Sequence, residues 1–271
     1  MVSIIIVNHN QKNLLKQCLR NIIEAKIDLS VEIIVIDNNS TDGSPEFLAE
    51  FKTQVLPVQV VLNKQNSGFA KGNNQGIKLA QGEYILILNP DVIVLPKAIT
   101  KLAKFLQTHS DAAMVGPQLL NPNQSIQNSC YRFPRVYTPV LRRTFLGKLP
   151  GFKKELTRYL MLDWDHQETR EVDWLIGACL MIKKEVLNKI GLLDERFFLY
   201  FEDVDLARRI WQAGFKVYYY PDAKMFHFHQ RLSAIHSTFP SLFSQITWIH
   251  ITSALKYFLK WGFKKNKKGQ E

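Results

Sequence analysis

The chain has 271 residues, of which 46% are hydrophobic and 22% are charged. These values are ordinary for a globular protein of one large or two small domains, and they exclude a disordered chain. The formal net charge of +11 favours anionic partners such as phosphorylated substrates, anionic lipid or nucleic acid.

The N-terminus, MVSIIIVNHN, enters an apolar run at once. It has no basic region and no cleavage site, so we expect no signal peptide and a cytoplasmic protein. The three cysteines, Cys18, Cys130 and Cys179, are too widely spaced for a zinc site or a disulfide framework. We therefore expect packing residues in a reducing compartment.

Short apolar runs alternate with helical patterns over the first ninety residues. The runs are typical of buried strands and lie at 3–10, 32–40, 58–63 and 84–89. The helical patterns between them lie at 12–25, 44–53 and 69–80. In the second helix, Ser44 is the predicted N-cap and Pro45 the first helical residue. Three strand-helix-strand repeats predict an α/β fold with a doubly wound, mostly parallel sheet.

Asp37 ends the second predicted strand, in VIDNNSTDGS. A carboxylate at this position accepts hydrogen bonds from a nucleobase imide or a ribose hydroxyl. The residues after it supply turn chemistry, and Asp37 opens an Asx-turn equally well. Both interpretations stay open.

Gly68 begins a series of three glycines spaced four residues apart, in NSGFAKGNNQG. The spacing matches neither a P-loop nor a dinucleotide fingerprint, and glycines on one helical face indicate close packing. Asparagine is costly in a helix, however, and a polar ligand at this face would account for Asn66, Asn73 and Asn74.

A strongly apolar run ends abruptly at Asn89, Pro90 and Asp91. A carboxylate at the exit of a buried strand is the usual position of a ligand site in open α/β sheets. A single carboxylate suits a divalent cation that also binds a diphosphate, because hard cations prefer oxygen ligands and keep positions for phosphate oxygens.

Beyond Asp91 the pattern predicts a helix near 96–108, a strand near 112–116 and then a long, poorly periodic stretch at 117–170. Long irregular segments in compact domains are typical of functional loops or lids. Regular patterns then return as an apolar segment, a helix, an acidic helix and a strand, at 172–182, 184–190, about 202–213 and 215–220.

Three carboxylates, Glu202, Asp203 and Asp205, lie within four positions directly after an aromatic run. Burial and mutual repulsion disfavour the charged forms, so the cluster predicts at least one carboxylate with the raised pKa of a general base. Acidic residues are also favoured in the first turn of a helix by its dipole. Taken alone, the cluster fits that structural role better.

The segment KMFHFHQRLS places His227 and His229 on one face of an extended stretch. One of them completes the cation site or donates to a phosphate in one interpretation. Both are structural in the other, and the sequence does not decide between the two.

Apolar and aromatic residues dominate 239–264, but polar residues interrupt them. A bilayer-spanning helix needs ~20 mostly apolar residues, so we expect an amphipathic helix with a basic end. It lies at an anionic membrane surface or packs on the domain. We expect no nucleic-acid binding, because the lysines cluster on this helix without a recognisable module.

Taken in order, these segments resemble glycosyltransferase family 2, particularly its bacterial rhamnosyltransferase-like branch. The resemblance covers most of residues 3–233 and rests on SIIIVNHN, VIDNNSTDGS, NSGFAKGNNQGIKLAQGEYILILNPDV, VDWLIGACLMIKKEVLNKIGLLDERFFLYFEDVDLARRI and PDAKMFHFHQRLS. It implies a GT-A fold with a Rossmann-like sheet over 1–235. A nucleotide-sugar-binding half at 1–92 and an acceptor half at 93–235 would precede a basic amphipathic helix at 236–271.

The resemblance also implies a role for each matching residue. The implied nucleotide-binding residues are Val7, Asn8, Asn10, Asp37, Asn66, Gly68, Asn89 and Asp91. The implied ligands of Mg²⁺ or Mn²⁺ are Asp91 and His227, and the implied general base is Asp203, with Glu202 as its rival. The implied acceptor wall consists of Trp174, Gly177 and Ala178.

Two residues depart from the family pattern. His9 stands where the family more often has an aromatic residue before the last asparagine, and it stays unexplained. Asn89 stands where an aspartate usually begins the metal motif, and fewer carboxylates weaken cation binding.

The implied reaction is inverting transfer of a sugar from a nucleoside-diphosphate sugar to a saccharide or polyprenyl-linked acceptor in cell-surface polysaccharide synthesis. Rhamnose from a thymidine diphosphate donor is the first expectation, by family analogy. The protein would work in the cytoplasm, with peripheral contact at the inner face of the plasma membrane.

Two other functions compete with this one. A sugar-phosphate nucleotidyltransferase would open with a glycine-rich GxGTRL segment, whereas this chain opens with VNHNQKN. A non-catalytic nucleotide-sugar-binding protein on the same scaffold would not need Asp91, Asp203 and His227, which are all present.

Overall fold

The fold is built on one nine-stranded sheet, seen in a computed structural model that describes residues 1–25, 27–51, 56–228 and 245–262. The first four strands are β1 (Val2–Asn8), β2 (Val31–Asp37), β3 (Val58–Leu62) and β4 (Tyr84–Leu88). They are connected by α1 (Lys12–Glu24), α2 (Ser44–Glu50) and α3 (Phe69–Leu79). The order β3-β2-β1-β4 is parallel throughout, which confirms the predicted repeats.

The second half of the chain supplies shorter strands and more helices. The first group, from residue 92 to residue 160, consists of β5 (Val92–Val94), α4 (Ala98–Thr108), β6 (Ala112–Leu120), β7 (Cys130–Tyr131), α5 (Thr138–Arg143), a 3₁₀ helix (Phe145–Lys148) and α6 (Pro150–Leu160). The remaining elements are β8 (Arg170–Glu171), β9 (Trp174–Leu175), β10 (Cys179–Lys183), α7 (Lys184–Ile190), α8 (Glu202–Gln212), β11 (Lys216–His227) and α9 (Gln245–Trp261).

The antiparallel strand β10 joins the two halves of the sheet. It pairs with β4 on one side and with β6 on the other, and the order continues through β11 to β5. Cys179 at its start lies opposite Leu88 at the end of β4. The two residues before β10 are therefore brought beside the loop that contains Asp91.

Two apolar cores cover the two faces of the sheet, because successive strand residues point to opposite sides. Ile4 and Ile6 of β1 belong to one core, which α1 and α4 cover. Ile5 belongs to the other, which α3, α7, α8 and α9 cover. The three cysteines are buried and free, as expected of packing residues.

The sequence predictions are wrong at three points. Gly43, with φ of +80°, is the N-cap of α2, because the Ser44 hydroxyl instead donates to Asp42 Oδ1 at 2.6 Å. The stretch 117–170 is not one irregular loop, since it contains α5 and α6. Pro139 and Pro150 do not prevent these helices, because they lie in the first turns, where proline is tolerated. The strands near 112–116 and 215–220 extend to the bounds of β6 and β11.

The C-terminal helix is present as α9, and it packs against α8. Tyr257 is fully buried and Phe258 nearly so, and both rings contact the ring of Phe201 just before α8. Among the helices of the described ranges, none combines the length and apolar character needed to cross a bilayer. Residues 239–244 and 263–271, and His229, lie outside the described residues.

Candidate active site

The ends of β1 and β2 form a buried polar cluster. Asp37 is 1% exposed, and its Oδ1 accepts a hydrogen bond from the Ser40 backbone N–H at 2.9 Å. Its Oδ2 accepts from Asn8 Nδ2 at 2.8 Å and from the Ser40 hydroxyl at 2.7 Å. Asp37 therefore orders the loop after β2, a structural role. Direct contact between Asp37 and a nucleotide stays a prediction.

The loop after β1 is held by the same serine. The Asn10 backbone N–H donates to Ser40 Oγ at 2.9 Å, and Asn10 Oδ1 accepts from the Thr41 N–H at 2.7 Å. His9, which the sequence left unexplained, places Nδ1 2.9 Å from the carbonyl of Asn38 and so donates to it. The buried Asn8 Oδ1 finds no hydrogen-bond partner within the described ranges. It is a free acceptor beside the predicted nucleotide site.

The glycine series packs closely against β1 and the segment before α8. Gly68 has φ of +87°, and a Cβ there would meet the Phe198 carbonyl at 2.5 Å. A Cβ at Gly72 would lie 2.9 Å from Cγ1 of the half-buried Val7. Asn66 Oδ1 accepts from the Gly68 N–H at 3.0 Å and so shapes this turn.

The polar-ligand interpretation of the helix asparagines is wrong for Asn74. Its amide exchanges hydrogen bonds with the Leu193 backbone, at 2.8 and 3.0 Å, and it therefore ties α3 to the segment before α8. Asn73 Nδ2 donates to the carbonyl of Phe69 one turn earlier.

Asp91 and His227 meet at the end of β4. The backbone N–H of Phe228 donates to the Asp91 carbonyl at 2.9 Å, which places His227 Nε2 3.4 Å from Asp91 Oδ1. The Asp91 side chain is 15% exposed and that of His227 3%. The structure therefore brings together the two residues that were predicted to share a cation.

Gln127 orients the histidine, although no motif in the sequence points to this residue. His227 Nδ1 lies 2.6 Å from Gln127 Oε1. The Gln127 amide donates at its other end to Asn121 Oδ1 at 2.9 Å, so Oε1 is the acceptor and Nδ1 carries the proton. His227 Nε2 then presents a lone pair towards Asp91. Such partners fix the tautomer of metal-binding histidines.

These two groups fit a divalent cation. Asp91 Oδ1 is buried and has no hydrogen-bond partner within the described part of the chain. Because a buried carboxylate oxygen without a partner is costly, this atom suits a bound cation. No group of three or more potential protein ligands is found among the described residues. Two protein ligands suit Mg²⁺ or Mn²⁺, because such ions complete their shells with water and substrate phosphates.

Asp203, at the start of α8, is held by two backbone amides. Gly177 N–H donates to Oδ2 at 2.9 Å and Val204 N–H donates to Oδ1 at 2.8 Å. Burial raises the pKa of Asp203 to about 6, although these two hydrogen bonds oppose the rise. The result is an oriented carboxylate that is ionised at neutral pH and more basic than an ordinary aspartate.

Glu202, the rival base, has a different environment. It is 3% exposed, and its Oε2 finds no hydrogen-bond partner within the described residues. Burial, and after it the charge of Asp203, raises the pKa of Glu202 well above its ordinary range. Glu202 therefore holds its proton more strongly than an ordinary glutamate and has no partner that orients Oε2, so this geometry favours Asp203 as the base.

The third carboxylate, Asp205, is structural. It is fully buried, and it pairs with Arg209 at 2.9 Å and Lys260 at 2.6 Å. Trp261 Nε1 donates at 2.8 Å to Oδ1, the oxygen that Lys260 also contacts. Asp205 therefore fastens α9 to α8.

The turn before α8 has a strained backbone. Tyr200 and Phe201 both have φ of +70°, which costs non-glycine residues about 1–3 kcal/mol each. Phe201 is retained there by Tyr257 and Phe258 of α9. The C-terminal helix therefore supports the turn that directs Asp203.

Gly177 and Ala178 connect the two acidic positions. The Ala178 carbonyl accepts from the Asn89 N–H at 2.9 Å, and Gly177 N–H binds Asp203 as described above. A Cβ at Gly177 would lie 3.7 Å from Asp203 Oδ2. One dipeptide thus fixes the loop of Asp91 relative to the carboxylate of Asp203.

Two of the three predicted wall residues are buried. Trp174 and Ala178 are 6% and 4% exposed, whereas Gly177 is half-buried. The Trp174 indole donates to the Arg132 carbonyl at 3.0 Å and stacks on the Tyr131 ring at 4.6 Å between centroids. Trp174 supports the wall from behind, and its contact with an acceptor stays a prediction.

Comparisons with known proteins agree with the residue pattern. The model of glycosyl transferase family 2 matches residues 3–191. An N-acetylglucosaminyl-diphospho-decaprenol L-rhamnosyltransferase of Mycobacterium tuberculosis is 28% identical over 208 residues, or 73% of this chain and 66% of that protein. Rhamnosyltransferase WbbL of Escherichia coli K12 is 24% identical over 267 residues, or 96% of this chain and 93% of that protein.

Two solved structures share the fold. GalNAc-T7 with UDP, GalNAc and Mn²⁺ has a TM-score of 0.66 at 18% identity, over 84% of this chain and 43% of that chain. The mannosyltransferase PcManGT of Pyrobaculum calidifontis with GDP-Man and Mn²⁺ has a TM-score of 0.60 at 18% identity, over 96% of this chain and 75% of that chain.

Proposed function

The chain belongs to glycosyltransferase family 2, and on that basis we propose that it transfers a hexosyl group from a nucleoside-diphosphate sugar with inversion. One observation carries this proposal. The Gly177–Ala178 dipeptide contacts both the loop of Asp91 and the carboxylate of Asp203. A leaving diphosphate and an attacking hydroxyl need such groups on opposite sides of one sugar.

Asp203 acts as the general base in this proposal. It accepts the proton of the acceptor hydroxyl while that oxygen forms a bond to the anomeric carbon. The bond from the same carbon to the diphosphate oxygen breaks on the opposite face, and configuration inverts. Because its pKa is about 6, Asp203 is ionised at neutral pH and has a larger driving force than an ordinary aspartate.

Asp91 and His227 hold Mg²⁺ or Mn²⁺ in this proposal. When bound, the cation neutralises negative charge on the departing diphosphate. The unpaired Asp91 Oδ1 and the oriented His227 Nε2 support the assignment. Asn8, Asn10, Asn66 and Gly68 shape the pocket edges where we place the nucleotide, as the resemblance implies.

A polyprenyl-linked saccharide is the proposed acceptor, and rhamnose the proposed sugar. The mycobacterial relative carries both in its name, and the second rhamnosyltransferase matches this chain over nearly its whole length. The corresponding process is the synthesis of cell-surface polysaccharide, with this transfer step taking place in the cytoplasm.

We propose the same division of the chain as the resemblance implies, with a donor half at 1–92, an acceptor half at 93–235 and the terminal helix.

Peripheral contact with an anionic membrane is part of this proposal. Four large apolar side chains of α9 are 37–75% exposed: Trp248, Ile251, Leu255 and Leu259. Their spacing of three or four residues places them on one helical face, opposite the face that packs on α8. Four lysines follow directly, at 264, 265, 267 and 268. An apolar face beside basic residues suits an anionic lipid interface.

Vesicle co-sedimentation tests this contact. Leu255→Gln with Leu259→Gln should remove binding to phosphatidylglycerol-containing vesicles, whereas Leu29→Gln with Leu79→Gln should not. The control residues are both 38% exposed leucines elsewhere on the surface. Equal binding of the two variants would reject the membrane face. Loss of a dimer by light scattering, without loss of vesicle binding, would assign the face to a second copy.

Calorimetric titration with dTDP, UDP and GDP, each with and without Mn²⁺, tests the donor site. We expect one nucleotide to bind tightly in the presence of metal, and Asp91→Ala to abolish the metal dependence. Lys97→Ala is the matched control, because it changes a charged residue of the following turn outside the site. Nucleotide binding with no transfer to any acceptor would favour a non-catalytic binding protein.

A further inference from the structure

Arg142 of α5 lies over two aromatic rings of the acceptor half. Its guanidinium carbon is 5.6 Å from the ring centroid of Tyr131 and 5.6 Å from that of Tyr159. Burial lowers the pKa of Arg142, and the two phenols raise it by more, so the guanidinium stays charged. Arg142 is nevertheless exposed to solvent. Two rings therefore hold a cation that a ligand can still reach.

The rings beneath Arg142 form a packed group with Trp174, one of the predicted acceptor-wall residues. Tyr131 stacks on Trp174 at 4.6 Å between centroids, and Tyr159 packs on Tyr131 at 5.4 Å. Burial raises the pKa of Tyr159, Arg142 opposes the rise, and the charge of Asp203 adds to it. Tyr159 is therefore close enough for the charges of both Asp203 and Arg142 to act on its phenol.

The surrounding ion pairs leave Arg142 without a carboxylate. Arg132 forms an ion pair with Asp173 at 3.2 Å. Glu155 forms ion pairs with Arg135 at 2.8 Å and with Arg158 at 2.7 Å. None of the ion pairs found in the described ranges includes Arg142. Four guanidinium groups thus face two carboxylates. The excess of positive charge matches a dianionic group.

The same segment exposes apolar side chains. Five of them, in α5, α6 and the turns before these helices, are 40–52% exposed: Val136, Tyr137, Val140, Leu149 and Phe152. Several large apolar side chains exposed within one short segment suit contact with an apolar ligand or a membrane. A ligand that binds here therefore combines an anionic group with a hydrocarbon.

We propose that Arg142 binds the diphosphate of a lipid-linked acceptor, and that the exposed apolar side chains of this segment contact the first units of its lipid. This inference rests on the proposed function and adds a binding site to it. A guanidinium forms two parallel hydrogen bonds to a phosphate, and the two rings hold it in place. The acceptor sugar would extend from Arg142 towards Asp203, which would accept the proton of its hydroxyl.

Binding of geranyl diphosphate, measured by calorimetry in EDTA, tests the site. EDTA removes the cation that the donor diphosphate requires, so the donor site does not contribute. Arg142→Gln should weaken binding about tenfold or more, the usual effect of losing hydrogen bonds to a charged group. Arg142→Lys should bind with intermediate affinity, because lysine keeps the charge and loses the paired geometry.

Arg170→Gln is the matched control. Arg170 also lies over an aromatic ring, at 5.2 Å from Trp164, but on the β8 side of the molecule. Unchanged affinity in this variant, with unchanged Mn²⁺-dependent nucleotide binding in Arg142→Gln, supports the proposal. Equal weakening in both variants, or no binding to the wild type, overturns it. Loss of nucleotide binding in Arg142→Gln assigns the guanidinium to the donor and also overturns it.

Discussion

The proposed donor half (1–92) and the proposed acceptor half (93–235) position their polar groups over different sequence distances. In the donor half, Asn8 reaches Asp37 and Ser40, which are 29 and 32 residues away and belong to the next strand and its loop. In the acceptor half, His227 depends on Gln127, which is 100 residues away. The parallel strand order is sufficient to assemble the first cluster, whereas the second needs the whole domain to fold.

The difference extends to the role of the terminal helix. Asp203 stands next to a strained turn that α9 holds in place, and α9 is itself fastened through Asp205. The donor cluster has no such requirement, because the loops after β1 and β2 bind each other directly. We therefore expect distant substitutions to affect the acceptor half more than the donor half.

Asp203→Asn should produce the largest effect. Loss of a general base lowers turnover about 10²–10⁴-fold, while Mn²⁺-dependent nucleotide binding should be unchanged, since the donor half is intact. In the wild type, turnover should fall as pH drops below about 6, where Asp203 takes up a proton. Steady-state kinetics over pH 5–9 measures both. Near-normal turnover in the variant would show that another group is the base.

Gln127→Leu should weaken the cation site from a distance. Without the acceptor at Nδ1, His227 loses its fixed tautomer, and such outer partners contribute about 10–100-fold to metal affinity. Mn²⁺ titration in the presence of nucleotide measures the change. Asn123→Ala, in the same loop, is the control, because its side chain only bonds within the loop. Unchanged affinity in Gln127→Leu would remove His227 from the cation shell.

Lys260→Met should destabilise the contact between α9 and α8. Lys260 pairs with the buried Asp205 and with Asp194. Removing one partner of a buried pair costs about 3–5 kcal/mol, and Arg209 and Trp261 should reduce this to about 1–3 kcal/mol. Urea denaturation gives the free energy of unfolding. Lys256→Met, on the same helix but exposed, should have little effect. Similar losses in both would mean that the pairing is unimportant.

Glu202→Gln should change the pH dependence of stability by the smallest amount. The folded-state pKa of Glu202 is raised, so the unfolded chain loses this proton first as pH rises. The wild type therefore loses stability as pH rises above the ordinary glutamate pKa, and the loss ends above the folded pKa. Glutamine does not ionise, so the variant lacks this loss of stability. The Tm of Glu202→Gln should therefore exceed the wild-type Tm by more at pH 8 than at pH 5. Identical pH dependence in the two proteins would contradict the assignment.

Much of the donor half could be predicted from sequence. Period-two and period-3.6 patterns specify β1 to β4 and α1 to α3, because each element buries one side of its own sequence. The position of Asp91 directly after a buried strand predicts it as a site residue, and the structure brings it beside His227. The local pattern also gave one wrong N-cap. Ser44 does not cap α2, because its hydroxyl donates a hydrogen bond to the Asp42 carboxylate.

The acceptor half was decided by tertiary contacts. The sequence supplied three carboxylates within four positions, but only burial, the Gly177 amide and the Lys260 pair distinguish the roles of Asp203, Glu202 and Asp205. Gln127 and Arg142 carried no local signal. The sequence by itself determined where strands end and where carboxylates gather. The tertiary structure decided which carboxylate is unpartnered, which is ion-paired and which is held by backbone amides, because desolvation and partners come from residues distant in the chain.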